Sequence, residues 1–474
     1  MSYSFLANII SLIISVMMIL IVPKILGVNE YGYWQLYLFY SGYIVYINFG
    51  WCDGIYLKYG GQDFKSIDNT VLGTQFFILA LHEIIVSSVI YLFAFILIDD
   101  ADKEFIVLMS CITGVIFVLR ITLLYILQAT NQIKIYASIT IIDRIAFCLL
   151  VFLLLIYGEN EYQILIAADL IAKSVTLVIA IWYCRRVVFA RKLPFIKALS
   201  ETVDVIRGGI KLITASLASL LIIGIIRFAI EEKWGTVIFG EISLTLSISN
   251  MFTIFISALS VVLFPTLRRI STDKLAGIYS ILRNVIMIPL FGLLIAYLPF
   301  KVILSMWIPE YSNSIKYVAL LLPIFLYETK MNILVNTYLK TLREEKIILI
   351  TNLITVVLSI VTTLITVYYL KNLDLTVMLV LILLVFRSIF SELLLTKIIN
   401  INVKLDICLE LAMTVTFVLT SWLIDSIFAT IIYVIAYILY LFIKKTNIKN
   451  SYSDIKKLFI EGKDRDTGNE IKLI

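Results

Sequence analysis

The feature that most constrains this chain is a succession of apolar runs, each about as long as a lipid bilayer is thick. A helix needs about 20 apolar residues to cross the hydrocarbon core, and fourteen runs of that kind can be marked along the chain. Their approximate limits are 5–22, 33–50, 74–98, 105–128, 137–157, 162–184, 209–230, 238–264, 281–305, 314–339, 347–370, 374–397, 405–424 and 426–443. Hydrophobic residues make up 61% of the 474 and charged residues only 15%, whereas a soluble protein carries about 25% charged residues. The sequence therefore predicts an all-α polytopic membrane protein with about 14 transmembrane helices.

Other features of the sequence argue against several kinds of site. The five cysteines form no Cys-x-x-Cys pair and His82 is the only histidine, so neither a redox motif nor a histidine-built metal site is expected. The Gly-x-x-x-x-Gly-Lys-Ser/Thr pattern of nucleotide-binding loops does not occur, which argues against ATP hydrolysis by this chain. We therefore expect no cofactor and no metal. The first apolar run also lacks the flanking residues of a cleaved signal peptide.

Basic residues are distributed unequally between the connections on the two sides of the membrane. One set of alternate connections, together with the C-terminal tail, holds 27 Lys and Arg residues, and the other set holds six. Basic residues accumulate on the cytoplasmic side of a membrane. This asymmetry predicts that both termini are cytoplasmic.

A basic, amphipathic connection divides the chain into two halves. It follows the sixth span, is the longest inner connection, and has the character of a helix lying on anionic headgroups. We predict an N-terminal six-helix lobe (1–184), a cytoplasmic basic connector (185–208), a C-terminal six-helix lobe (209–400), an extra helix pair (401–443) and a cytoplasmic basic tail (444–474).

The two halves share a short pattern at corresponding places. Gly27-Val28-Asn29-Glu30-Tyr31-Gly32 follows the first span, and Gly235-Thr236-Val237-Ile238-Phe239-Gly240 follows the seventh, so that both read Gly-x-x-x-aromatic-Gly. Glycine permits a tight turn with positive φ between two spans, and the aromatic residue is expected in the interfacial belt. Because many transporters consist of two related halves, the repeat favours two pseudo-symmetric six-helix lobes plus a terminal helix pair.

Five segments carry a resemblance to a known family. They are Leu26-Gly27 to Tyr31-Gly32, Asn48-Phe49-Gly50-Trp51-Cys52-Asp53-Gly54-Ile55, Gln128-Ala129-Thr130-Asn131-Gln132, Phe239-Gly240-Glu241-Ile242-Ser243 and Leu263-Phe264-Pro265-Thr266-Leu267. Together with the number of spans, they resemble bacterial polysaccharide flippases of the Wzx type over nearly the whole chain. These flippases belong to the multidrug/oligosaccharidyl-lipid/polysaccharide exporter superfamily.

This resemblance implies a function and its partners. It implies two lobes around a cavity that opens alternately to either side of the bacterial inner (plasma) membrane. The implied cargo is an undecaprenyl-diphosphate-linked oligosaccharide, moved to the outer leaflet for the assembly of a surface polysaccharide such as O-antigen, lipopolysaccharide or capsule. A polysaccharide polymerase and a chain-length regulator are the candidate protein partners.

Basic residues inside the predicted spans are the candidates for binding such a cargo. A charge at the bilayer centre costs at least about 2.5–3.5 kcal/mol, so charges within spans often mark substrate or ion pathways. A diphosphate carries about two negative charges, and guanidinium groups bind its oxygens in pairs. We therefore predict that Arg120, Lys173, Lys330 and Arg387 line the cavity.

Acidic residues occur at similar depths. Glu83, Asp169 and Glu392 are the candidates for exchanging a proton or Na⁺, because the energy for transport has to come from an ion gradient or from downstream polymerisation. With Glu328 they number four, the same as the basic candidates. Charge alone therefore does not decide between an anionic and a cationic cargo.

Several of these charges also have a purely structural explanation. Asp169 and Lys173 are four residues apart on one helix face, which would let them neutralise each other. Arg227 precedes Glu231 by four residues near the outer interface, where an ion pair is expected. Arg144, near the cytoplasm, could extend its side chain to lipid phosphates.

Two other functions stay open at this point. A multidrug or cation antiporter of the same superfamily would need acidic groups to dominate the cavity. A glycan polymerase or another membrane enzyme would need a catalytic pair and a large outer loop to hold it, but the outer connections are about ten residues or fewer. We therefore predict a transporter without enzyme activity.

Overall fold

The fold, taken from a computed structural model, consists of helices wherever the structure describes regular elements. The backbone is described for residues 2–257 and 272–469, and the side chains for residues 12–194, 197–253 and 275–450. The segment Leu263-Phe264-Pro265-Thr266-Leu267, one of the five that carry the resemblance, lies outside these residues.

Eight helices form the first part of the chain. Their bounds are α1 (Ser2–Ile44), α2 (Trp51–Tyr59), α3 (Asn69–Leu97), α4 (Ala101–Ala129), α5 (Ile133–Tyr157), α6 (Tyr162–Tyr183), α7 (Arg185–Val188) and α8 (Phe195–Ser257). Most of the predicted basic connector therefore belongs to α8, which continues directly into the seventh span.

The second part of the chain contains ten further helices among the described residues. They are α9 (Thr272–Leu293), α10 (Tyr297–Trp307), α11 (Ser312–Ile315), α12 (Val318–Leu321), α13 (Ile324–Thr329), α14 (Asn336–Thr341), α15 (Glu345–Thr363), α16 (Leu373–Ile398), α17 (Lys404–Leu423) and α18 (Ile427–Asn469). Two π-helical segments, Lys330–Val335 and Leu364–Tyr369, follow α13 and α15.

Short polar side chains fix where several of these helices begin. The carboxylate of Asp68 accepts hydrogen bonds from the first amides of α3, and Asp100 does the same for α4. Asn372 caps α16 in the same way. Each cap satisfies backbone donors that the first turn of a helix leaves unpaired, which sets the ends of these spans in the sequence.

The number of membrane-spanning helices agrees with the prediction from sequence. Twelve helical stretches within the described residues are long and apolar enough to cross a membrane. Two of them, Leu12–Asn48 and Lys197–Thr253, are long enough for two crossings, and each overlaps two predicted spans. The chain is therefore an all-α, multi-pass membrane protein, and the prediction of about 14 spans is confirmed.

The two long stretches are interrupted at the first glycine of the repeated pattern. Gly27 divides α1 with φ 69° and ψ 177°, and Gly235 divides α8 with φ 85° and ψ 174°. This region of backbone space is accessible essentially only to glycine. The positive φ predicted for the repeat is therefore present in both copies, at corresponding positions and with nearly the same backbone angles.

The second glycine of each copy has a different function, which is close helix packing. A Cβ atom on Gly240 would lie 2.5 Å from the Cα of Gly32, and one on Gly32 would lie 2.6 Å from the carbonyl oxygen of Thr236. The aromatic residues next to them, Tyr31 and Phe239, are buried in the protein, at 2% and 1% exposure. The prediction of aromatic side chains in the lipid interface was wrong, because both side chains are almost fully enclosed by protein.

The described chain separates into two compact units. Unit 1 comprises residues 1–244 and 363–369, and unit 2 comprises residues 245–362 and 370–474. The two copies of the glycine pattern both lie in unit 1, and the last two helices, α17 and α18, belong to unit 2. The lobe boundaries given above stay a prediction.

Substitution at the glycine contact should lower stability in a position-specific way. Gly32→Ala places a methyl group against the Thr236 carbonyl, and overpacking of this kind typically costs about 1–3 kcal/mol. Gly42→Ala, in the same helix, is the matched control because nothing lies within 4 Å of its Cβ position. We expect a lower melting temperature in detergent for Gly32→Ala alone. Equal melting temperatures for the two variants would contradict the close contact.

Candidate functional site

A buried cluster of opposite charges surrounds Lys330 in unit 2. The Nζ of Lys330 lies 2.7 Å from Oε2 of Glu392 and 3.0 Å from Oε2 of Glu410. Arg283 lies on the other side of the same carboxylates, with its Nε 2.8 Å from Glu392 Oε1 and its Nη2 2.9 Å from Glu410 Oε1. All four side chains are at most 1% exposed. The cluster thus joins α9, α16, α17 and the π-helical segment that begins at Lys330.

Three more groups extend this cluster. The hydroxyl of Tyr279 donates to Glu392 Oε1 at 2.9 Å. Asp406 lies 3.4 Å from Nη1 of Arg283 and forms a second ion pair with Lys444. The cluster then holds three basic and three acidic side chains. Because an unpaired charge in such a place would cost several kcal/mol, this balance explains how so many charges can lie within membrane-spanning helices.

The other basic candidate of unit 2, Arg387, also has an acidic partner. Its Nη2 lies 2.6 Å from Oε1 of Glu328, and the arginine is 3% exposed. The pair connects α16 to α13. The structure therefore places both predicted basic residues of unit 2, Lys330 and Arg387, in ion pairs between helices.

In unit 1, Arg120 holds together three helices. Its Nη1 lies 2.8 Å from Oδ1 of Asp143 in α5 and donates to the hydroxyl of Thr176 in α6 at 3.3 Å. Arg120, in α4, is 6% exposed. Asp143, the neighbour of Arg144, therefore supplies the negative charge for Arg120.

Asp169 and Lys173 form the pair that their spacing on α6 allows. The carboxylate of Asp169 also accepts a hydrogen bond of 2.5 Å from the hydroxyl of Tyr37 in α1. That hydroxyl lies 2.8 Å from the hydroxyl of Thr113 in α4. The pair is thus the centre of a polar contact among three helices of unit 1.

Glu83 is a different kind of acidic residue. It is fully buried in α3, and its Oε1 lies 3.3 Å from Nδ1 of His82, the neighbouring residue. Its Oε2 has no hydrogen-bond partner among the described residues. Buried polar atoms are nearly always bonded, so this carboxyl group stays a candidate for exchanging an ion.

Arg227, in α8, does not form the ion pair expected from its spacing. Glu231 pairs instead with Lys103, 2.5 Å away. The Cζ of Arg227 lies 4.9 Å from the ring centroids of both Phe39 and Phe239, and its Nη2 donates to the Ser243 hydroxyl at 2.8 Å. The ion pair predicted between Arg227 and Glu231 is therefore wrong.

Sequence reasoning also missed members of the unit 2 cluster. Arg283 and Lys444 belong to the 27 basic residues that the sequence assigns to one set of connections and the C-terminal tail, yet they are 1% and 2% exposed. Glu410 was not singled out at all. The available signal was that Asp406 and Glu410 lie four residues apart at the start of a predicted span, where they share one helix face.

Comparison with known proteins identifies solved structures that share this fold. Neither a protein-family model nor a curated protein matches the sequence. An inward-facing multidrug resistance transporter of the MATE family, from the MOP superfamily, aligns with a TM-score of 0.64 at 11% identity, covering 83% of this chain and 98% of that chain. The lipid II flippase MurJ, in an inward closed conformation, aligns with a TM-score of 0.60 at 14% identity, covering 94% of this chain and 98% of that chain. The chain has the fold of the MOP-superfamily transporters.

This is the fold that the resemblance found in the sequence implies. A further MOP-superfamily transporter, from Pyrococcus furiosus, aligns with a TM-score of 0.50 at 12% identity, covers 84% of this chain and 95% of that chain, and is described as having a binding pocket of reverse polarity. The three structures thus include a drug transporter, a lipid flippase and a transporter whose binding pocket is described as having reverse polarity. The MOP fold alone does not specify the cargo, which has to be argued from the charges.

Proposed function

We propose that the protein is a flippase for a lipid-linked oligosaccharide, carried on undecaprenyl diphosphate from the cytoplasmic to the outer leaflet. The proposal rests chiefly on the ion pairing of the acidic residues within the spans. Asp143, Asp169, Glu328, Glu392 and Glu410 each lie within ion-pair distance of a lysine or arginine. An anionic cargo does not require any of these carboxylates to be available.

A cation antiporter, the alternative, would make the opposite use of these contacts. Such a transporter needs carboxylates that can exchange a basic partner for a cationic cargo. Glu83 is the predicted acidic candidate that lacks a lysine or arginine partner among the described residues, and it is fully buried. Both functions therefore require ion pairs to open, the flippase to release a basic side chain and the antiporter to release a carboxylate.

In the proposed mechanism, the four basic candidates contact the cargo by exchanging partners. In the structure Arg120, Lys173, Lys330 and Arg387 all face carboxylates. In another conformation of an alternating cycle, the diphosphate would replace the carboxylate, because both groups present oxygens in pairs to a basic side chain. Glu83, Asp169 and Glu392 are the proposed sites for a coupling proton or Na⁺.

The proposal includes a cellular setting. It places the protein in a bacterial inner (plasma) membrane with both termini in the cytoplasm, as the distribution of basic residues predicts. The flipped repeat unit would pass to a polysaccharide polymerase and a chain-length regulator, which are proposed as partners in the assembly of O-antigen, lipopolysaccharide or capsule. No enzyme activity is proposed for this chain.

Loss of the protein should change the leaflet in which the lipid-linked glycan is found. We expect a deletion strain to make the lipid-linked repeat unit and to retain it on the cytoplasmic leaflet, with surface glycan reduced to background. A membrane-impermeant label for the glycan, applied to spheroplasts and to inverted vesicles, measures this distribution. If the glycan still reaches the outer leaflet while resistance to cationic dyes falls, the protein is the antiporter instead.

A further inference from the structure

Arg227 occupies a corner formed by two aromatic rings. It lies eight residues before the Gly235 break in α8. The rings of Phe39 and Phe239 meet edge to face, with centroids 5.4 Å apart, and the Cζ of Arg227 lies 4.9 Å from each centroid. Cation–π contacts of this kind contribute about 0.5–2 kcal/mol. They stabilise the guanidinium in the membrane without neutralising its charge.

The charge of Arg227 is not balanced by any acidic side chain that the structure describes. The expected partner, Glu231, is 2.5 Å from Lys103. By contrast, Arg120, Arg283, Lys330 and Arg387 each have at least one carboxylate within 3.0 Å. Those four side chains are buried, whereas Arg227 is partly exposed. Arg227 therefore carries a charge in a span with no acidic partner among the described residues, a combination that these four residues lack.

The hydrogen bond from Arg227 to Ser243 orients the guanidinium and leaves another N–H donor of this group without a partner in the part of the chain that the structure describes. The hydroxyl of Ser243 donates to the carbonyl oxygen of Phe239 at 2.5 Å, so its oxygen accepts from Nη2 of Arg227. An arginine has five N–H donors, all in the plane of the guanidinium. The aromatic contacts engage the π-faces of the two rings, and Ser243 accounts for one donor. The Nε of Arg227 has no hydrogen-bond partner among the described residues, so a donor of the guanidinium remains for the oxygens of a phosphate.

We propose that Arg227, set in this aromatic corner, is a binding site for the phosphate groups of the cargo lipid. The proposal deepens the proposed function and rests on it. The shared chemistry is a phosphate or diphosphate, which belongs here to a lipid headgroup, because the site lies within a membrane-spanning stretch. The neighbouring aromatic rings also suit the first apolar carbons of a lipid chain.

Binding of a lipid diphosphate to the purified full-length protein tests the site. The probes are undecaprenyl diphosphate in detergent micelles, uncharged undecaprenol in the same micelles, and inorganic pyrophosphate. We expect Arg227→Gln to weaken binding of undecaprenyl diphosphate about tenfold or more, since a charge-assisted pair of hydrogen bonds is lost. Arg227→Lys keeps the charge but not the fork, so its affinity should be intermediate. Undecaprenol should bind all three proteins equally.

Lys316→Gln is the matched control. Lys316 also lies over two aromatic rings, at 4.8 Å from Tyr317 and 5.7 Å from Trp422, but it pairs with Asp374. Its replacement should leave the affinity for undecaprenyl diphosphate unchanged. The Arg227→Lys protein keeps the test valid if Arg227→Gln does not fold.

Three results would overturn the site. One is wild-type affinity for undecaprenyl diphosphate in a folded Arg227→Gln protein. Another is an equal loss in the Lys316→Gln control. A third is an Arg227→Gln protein that no longer binds pyrophosphate but keeps its affinity for undecaprenyl diphosphate, which would assign the site to a free anion. If the wild-type protein flips the lipid-linked glycan and Arg227→Gln does so equally well, only this site is wrong. If the wild-type protein neither binds nor flips it, the proposed function itself fails.

Discussion

Replacing Lys330 with Met is expected to destabilise the folded protein by about 3–5 kcal/mol, the usual effect of removing one partner from a buried ion pair. Lys330 is 0% exposed and lies 2.7 Å from Glu392 and 3.0 Å from Glu410. Without its ammonium group the cluster holds one more acidic than basic residue, and that excess charge is buried among apolar helices. Met fills similar space, so the effect isolates the charge from the packing.

A second substitution in the same cluster should restore part of the stability that Lys330→Met removes. Adding Glu410→Gln to Lys330→Met restores the balance of charge, so the double variant should recover a substantial part of the lost stability. Lys316→Met is the control at the surface, where the ion pair with Asp374 spans 3.8 Å and both side chains are about half exposed. That change should stay within about 1 kcal/mol.

Thermal unfolding of the detergent-purified variants, followed by size-exclusion chromatography with fluorescence detection, measures these effects. We expect the melting temperature of Lys330→Met to fall by about 3–5 °C, that of the double variant to lie between it and wild type, and that of Lys316→Met to be nearly unchanged. A Lys330→Met protein as stable as wild type would show that the cluster is not neutralised in the way the distances indicate.

Much of the fold could be predicted from the sequence, because the bilayer imposes a length on every crossing. The apolar runs gave the spans, and the repeated glycine pattern gave the two places where long helices break. Gly27 and Gly235 could be recognised because a positive φ requires glycine at one particular position. By contrast, the packing of Gly32 against Gly240 depends on which helices are neighbours, and no local rule contains that information.

Ion pairs between helices could not be predicted either, because they also depend on which helices are neighbours. Spacing along one helix identified Asp169 with Lys173, and the structure has that pair. The same rule assigned Glu231 to Arg227, and there it failed, because Lys103 from the beginning of α4 reaches the carboxylate. Arg283 was misplaced because it lies near the beginning of the apolar run 281–305, where a loop residue and a buried one look alike in sequence.

Exchanging the charges of Arg120 and Asp143 tests whether this pair only stabilises the fold or whether Arg120 also contacts the cargo. Arg120→Glu or Asp143→Arg alone would set two like charges where the structure has Nη1 and Oδ1 2.8 Å apart. Each single variant should therefore lose most of the folded protein, and the surface glycan with it. The double variant restores opposite charges at the same place, so the amount of folded protein in the membrane should recover.

Surface glycan is the second measurement in that experiment, and it should not recover in the double variant. If the diphosphate replaces Asp143 as the partner of Arg120 during transport, a carboxylate on α4 would repel the cargo even in a correctly folded protein. Protein amount is measured by immunoblot of the membranes, and surface glycan by binding of a glycan-specific lectin or antibody to intact cells. Arg120→Lys, which keeps the charge, should retain part of the activity. Full recovery of both protein and glycan in the double variant would show that Arg120 serves only to join α4 to α5, and the cargo would then have to be held by cations elsewhere, with Arg227 the foremost among them.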